Sequence, residues 1–185
     1  CGILSHEQIV TDDIIDFNVI ALLVGMMILV NILKKTGALH ALALLAAKKA
    51  RGSGMRLMLI FAVITAILSA FLDNVTSVLL IGTVTVTIAR QLKINPVPYL
   101  ISETIASNIG GTATLIGDPP NIMIGSAAGL SFNDFLINLA PVILFLVTPV
   151  SMVMLAMIYK NDLKLPFGAK RAMLRLTLDG VIKDK

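Results

Sequence analysis

The sequence has no tryptophan, a single cysteine and two histidines, and only 14% of its residues are charged. Cys1, standing alone, excludes an intrachain disulfide and a cysteine metal centre. His6 and His40 both fall outside the apolar runs, which argues against a histidine metal centre. No nucleophile is paired with a base, and the glycine-rich run at 107–118 lacks the lysine that follows a phosphate-binding loop. An enzyme is therefore not expected, nor is a cofactor. Without tryptophan, anchoring at a membrane surface would fall to Phe17, Tyr99, Phe135 and Tyr159.

What the chain has in place of charge is hydrophobic length. Its 185 residues are 57% hydrophobic, and the mean hydropathy is +0.92. A soluble domain carries about a quarter charged residues, so the composition points to an all-α integral membrane protein. Residues 14–33 form a first span of about the required twenty residues. Asp12, Asp13 and Asp16 precede it and Lys34-Lys35 follow, which orients it from outside to inside. Residues 38–51 are Ala/Leu-rich, too short to span, and basic at the end. They are expected to lie as an interfacial helix on the cytoplasmic side, ended by Gly52-Ser53-Gly54.

Residues 57–89 contain one charge, Asp73, at their midpoint. As one helix they would reach about 50 Å, too long for a core of about 30 Å. Arg56 precedes them and Arg90 and Lys93 follow, which places both ends in the cytoplasm. The simplest solution is a re-entrant helical hairpin with its tip, Asp73-Asn74-Val75-Thr76, near mid-membrane. Two thin ordinary spans with Asp73 in an outer turn are the alternative.

Asn95-Pro96-Val97-Pro98 reads as a turn. Residues 99–129 then read as a broken transmembrane helix, with half helices at 99–106 and 119–129. The intervening run, Ser107-Asn108-Ile109-Gly110-Gly111-Thr112-Ala113-Thr114-Leu115-Ile116-Gly117-Asp118, is followed by Pro119-Pro120-Asn121. Three glycines and a Pro-Pro pair disfavour continuous helix, and unwound backbone at membrane depth is tolerated only inside protein or along a cavity. A surface loop between short spans is the bland alternative. Pro119 suits a first helical turn and Asp118 the N-cap before it. Gly110, Gly111 and Gly117 are expected either to adopt positive φ or to pack helices closely. Residues 131–138 read as an outer interfacial segment. Residues 139–159 read as a returning span, kinked at Pro149. Residues 161–185 read as a basic cytoplasmic linker with an amphipathic helix near 168–178.

The net charge of +4 resides in 160–185, where Lys160, Lys164, Lys170, Arg171, Arg175, Lys183 and Lys185 face Asp162, Asp179 and Asp184. Beside a span this is the positive-inside pattern, with anionic lipid as a second partner, rather than a nucleic-acid surface. Every basic residue before position 160 lies in 34–56 or 90–98, the other segments expected in the cytoplasm. The plasma membrane, the inner membrane of a bacterium, is the expected location.

Two polar tips, 73–76 and 107–118, can meet near mid-membrane. Unwound carbonyls and the oxygens of Asn74, Thr76, Ser107, Asn108, Thr112, Thr114 and Asn121 suit a hard cation such as Na⁺. Half-helix N-termini suit an anion. Three acids lie in these segments: Asp73, Glu103 and Asp118. Each has a structural alternative, as an N-cap for Asp73 and Asp118 and as a partner of Lys93 for Glu103. Burial disfavours an ionised carboxylate, so each is also a candidate proton carrier.

The pattern Gly-Gly-x-x-Thr-x-x-Gly-Asp-Pro-Pro-Asn at 110–121, with Asp73-Asn74-Val75-Thr76 upstream, resembles the ArsB/NhaD permease group of the ion transporter superfamily. That group includes the melanosomal P protein and citrate-transporter-like domains. The resemblance runs from residues 25–39 through the final span. It implies two inverted repeats, each with a re-entrant hairpin and a broken helix, and often a homodimer. The chain is then a fragment supplying one repeat, with the second repeat outside it. In related divalent-anion/sodium symporters the hairpin tip reads Ser-Asn-Thr-like, and Ser or Thr stands where this chain has Asp118. Both departures favour the ArsB/NhaD/P-protein branch over a dicarboxylate carrier.

The function expected is secondary active transport of an inorganic or small organic anion by alternating access, coupled to Na⁺ or H⁺. Arsenite and carboxylates are the family options. A Na⁺/H⁺ antiporter using Asp73 and Asp118 is the alternative, an ion channel with its filter at 107–118 a third reading, and a non-transporting scaffold a fourth.

Overall fold

A computed structural model describes residues 17–166 and Gly168. The expected acidic flank at 12–16, the start of the first span, and the amphipathic helix near 168–178 (Gly168 excepted) lie outside the described residues. Within them the chain is helical, with no strand. In order the helices are α1 (Phe17–Lys35), α2 (Ala38–Lys49), α3 (Gly54–Ser69), α4 (Asn74–Leu92), α5 (Val97–Thr112), α6 (Pro119–Ala128) and α7 (Phe132–Ile158). Among the described residues, α4 and α7 are long and apolar enough to cross a membrane.

Local signals end these helices where they do. The Ser53 side chain accepts from the Arg56 N–H at the start of α3, and Asp73 Oδ1 accepts from the Thr76 N–H at 2.8 Å at the start of α4. Pro119 opens α6, and Gly129, at φ 65°, closes it. Ser131 and Asp134 form a reciprocal capping box at the start of α7.

The core forms where α3 packs along α5 and α4. Leu57, Met58 and Phe61 of α3 meet Ile81, Val84 and Ile88 of α4, with Tyr99 and Ala106 of α5. Ala46, Ala47 and Ala50 at the end of α2 are also buried there. Lipid tails are as apolar as leucine, so helices in a membrane gain by close van der Waals approach, and small side chains permit it. Gly110 shows this: a methyl group on it would run into the backbone of Ala66 on α3.

The structure corrects two expectations. Helix α5 does not stop at 106; it runs through Ser107, Asn108, Gly110 and Gly111 to Thr112, and only 113–118 are non-helical. None of Gly110, Gly111 and Gly117 has positive φ. Their lack of a side chain serves close packing instead: α5 presents the bare Cα atoms of Gly110 and Gly111 to the neighbouring chain, and Gly117 packs from the non-helical segment. The second correction concerns 131–138, which merges with 139–159 into α7. That helix contains two wide π turns, Phe135–Leu139 and Ile143–Val147, one just before Pro141 and one before Pro149. A proline ring collides with the carbonyl four residues back in a regular helix, and a π turn relieves this. Thr148 Oγ1 also donates to the Ile143 carbonyl five residues back, at the second of these turns.

Candidate functional site

Two interruptions of the helical chain, 70–73 between α3 and α4 and 113–118 between α5 and α6, come together at one end of the α3–α4–α5 packing. Asn74, the first residue of α4, joins them. Its Nδ2 donates to Asn108 Oδ1 at 3.1 Å and to Asp118 Oδ1 at 2.9 Å, and its Oδ1 accepts from Ser69 Oγ at 2.6 Å. One amide thus ties the end of α3, the last turns of α5 and the residue before α6.

The backbone of the second interruption is held by two further side chains. Thr114, itself buried, donates through Oγ1 to the Ala70 carbonyl and accepts from the Gly117 N–H at 3.1 Å. Asn121 Nδ2 reaches back to the carbonyls of Gly111, Thr112 and Thr114, at 3.3, 3.3 and 2.9 Å. Those carbonyls lose their helical partners where α5 ends, so Asn121 fills the place of the missing turn. Gly111 and Gly117 lie against each other, and a methyl on Gly117 would come 2.7 Å from the Ser69 carbonyl. A methyl on Gly111 would strike the Asn74 amide.

The predicted site residues therefore divide. Asn74, Asn108, Asp118, Gly111 and Gly117 are brought together. Thr114 and Asn121 hold the interruption in shape. Gly110 seats α5 on α3. Thr112, Ser107 and Asn108 also bond the carbonyls of their own helix, through Thr112 Oγ1 to Asn108, Ser107 Oγ to Thr104 and Asn108 Nδ2 to Thr104. A hydroxyl that donates in this way keeps lone pairs for a cation. Asp73 caps α4, and the Thr76 N–H is the group it caps. Asp118 stands at the N-cap position of α6 yet makes no capping bond; its carboxylate turns to Asn74. Glu103 is fully buried, and its Oε1 accepts from Thr85 Oγ1 on α4.

Sequence reasoning missed Ser69 and Thr85. Ser69 lies near the tip in the chain, which is the one signal it carried. For Thr85 the signal was its helical spacing, which returns it to the face of Asn74 and Ser77 while Thr83 and Thr87 fall elsewhere; those two bond their own helix, and Thr85 alone of the three meets Glu103. Among the described residues, no three His, Cys, Asp or Glu side chains group as a metal site.

The arrangement can offer oxygens to a cation and helix N-termini to an anion at one place. α4 and α6 both begin at the cluster, bringing partial positive charge, and α3 and α5 end there, bringing carbonyls.

Residues 1–180 match the citrate transporter family. The chain is 51% identical over 142 residues to an uncharacterized transporter of Mycobacterium bovis, covering 76% of this chain and 33% of that protein. It is 50% identical over 137 residues to a 46 kDa membrane protein of Mycobacterium leprae, covering 74% and 32%. It is 46% identical over 126 residues to the human P protein, covering 65% and 15%. The chain thus spans about a third of the length of these mycobacterial relatives. It belongs to the citrate transporter family.

Proposed function

We propose that this member of the citrate transporter family supplies one half of the binding site of a secondary active transporter. The solute is a small anion, either a carboxylate such as citrate or an inorganic ion such as arsenite, moved by alternating access with Na⁺ or H⁺ as coupling ion. In this reading α3, 70–73 and α4 are a re-entrant hairpin, and α5, 113–118 and α6 are a broken transmembrane helix. Segments 34–56, 90–98 and 160–185 face the cytoplasm across the plasma membrane. A second repeat in the full-length protein completes the site, and two such proteins form a homodimer.

The observation that carries this reading is the bonding of Asn74. A single side chain links two interruptions far apart in the chain, and leaves Asn108, Asp118 and Ser69 around it. Interrupted helices meeting tip to tip are how secondary transporters bring carbonyls and helix N-termini to a solute. The test uses the full-length parent protein in proteoliposomes, with labelled citrate or arsenite outside and an imposed Na⁺ or pH gradient. Wild type accumulates one of these anions. Asn74→Ala lowers the rate about tenfold or more, consistent with losing a hydrogen bond to a charged group. Unchanged uptake in both Asn74→Ala and Asp118→Asn would sink the assignment.

One observation favours a second reading, Na⁺/H⁺ antiport. Asp118 leaves its capping position for the cluster, where it can exchange a proton for Na⁺. Na⁺ added outside vesicles holding a pH dye, with no anionic solute, then produces a pH change that Asp118→Asn abolishes. No change in folded protein returns the anion carrier to first place.

A further inference from the structure

Glu103 is the one charged residue on α5, and it has no exposed surface. Its Oε1 accepts from Thr85 Oγ1 on α4, and its Oε2 is buried without a hydrogen-bond partner. Gly82 lies opposite, where a Cβ would stand 3.6 Å from Oε2, at ordinary contact distance. Among the described residues, no cation stands near to balance it. α3 carries Arg56 alone, exposed in its first turn, and α4 carries Arg90 alone, exposed in its last. The part of α7 packed on α5, residues 143–158, has no charged residue. The other titratable group on α5 is Tyr99, one turn away, whose buried hydroxyl also lacks a partner. An unpaired carboxylate inside protein is among the costliest groups to bury. The neutral acid avoids that cost, keeps Thr85 as donor to one oxygen and turns the other into a donor itself.

The carboxyl also lies on a polar seam. On α4, Asn74, Ser77 and Thr85 fall on one face by helical spacing, with the apolar Ile81 between the last two; on α5, Glu103, Ser107 and Gly111 do the same. Ser77 is fully buried and its hydroxyl has no partner. The seam runs about 12 Å along α5 from Glu103 to Gly111, where Asn74 packs.

We propose that Glu103 and Thr85 form a proton-binding site at the α4–α5 contact, separate from the Asn74–Asp118 cluster, and that its proton is the one coupled to transport. The coupling half of this statement rests on the transporter reading above; the site does not. Parting α4 from α5 along the seam admits water to Glu103 and releases the proton, and closing it requires the proton to return.

Infrared spectra of the full-length parent protein in lipid at neutral pH test the site directly. Wild type minus Glu103→Gln is expected to show a carboxylic-acid C=O stretch. Thr85→Val, which leaves the acid in place, is expected to shift that band upward by removing its hydrogen bond. A difference spectrum with only carboxylate bands, or a band that ignores Thr85→Val, overturns the site. Should Glu103→Gln fail to fold, the Thr85→Val shift decides alone. Citrate uptake driven by a pH gradient tests the coupling. Glu103→Gln is expected to lose the response to the gradient and Glu103→Asp to recover part of it, whereas a wild-type response in Glu103→Gln overturns the coupling. If wild type moves no citrate, the citrate reading has failed, and the infrared result still decides the proton site.

Discussion

The interruptions at 70–73 and 113–118 each place an aspartate one residue before a helix, and they use it differently. Asp73 bonds the Thr76 N–H of its own helix and closes the first interruption locally. Asp118 leaves α6 uncapped and bonds Asn74, 44 positions earlier in the chain. The rest of each segment follows the same division. The first interruption is short and receives bonds, at the Ala70 carbonyl from Thr114 and at Asn74 from Ser69. The second is longer and is shaped by Thr114, Asn121 and the packing of Gly117 on Gly111 and Ser69. One acid is thus part of helix termination; the other is part of a contact that exists only when the two interruptions meet. Acids in equivalent sequence contexts therefore do not share a role.

The largest effect should come from separating the interruptions. Gly110→Ala puts a methyl into the Ala66 backbone and is expected to cost about 3 kcal/mol or more, with most protein lost from the folded peak in size exclusion. Gly25→Ala, with nothing near its Cα face, is the control and should cost nothing. Next comes the contrast between the acids. Asp118→Asn should lower transport by about tenfold or more, as expected for loss of a charge-assisted bond. Asp73→Asn, which preserves a good cap, should leave it within about twofold. Equal losses in both would erase the distinction. Thr114→Val removes the staple while keeping its shape, and should destabilise by about 1–3 kcal/mol in thermal melts in detergent, with Thr114→Ser restoring most of it. The smallest effect belongs to Asp73→Ala, a cap loss of about 1 kcal/mol read in the same melts.

Much of this was legible in the chain. Pro119 lacks an N–H and Gly129 tolerates a left-handed turn, so the limits of α6 are local facts. Apolar length marked α4 and the later part of α7. The glycines misled, because sequence reports only that they can break a helix. Gly110 and Gly111 stay helical since α3 and Asn74 fill the space beside them. In α7, Pro149 pointed to a kink; the two π turns depend on how the helix relieves both prolines, and Thr148 bonds the Ile143 carbonyl at the second of them.

By itself, then, the sequence determined that the chain forms membrane-type helices, that it is interrupted near Asp73 and again before Pro119, and that polar oxygens crowd both places. These follow from hydrophobicity, backbone propensity and the missing proline N–H, which act within a few residues. The tertiary structure decided that Asn74 is the hub, that Asp118 and not Asp73 turns to it, and that Thr85 is the threonine facing Glu103. A buried polar atom bonds whichever partner packing brings within about 3 Å, and that partner can lie anywhere along the chain.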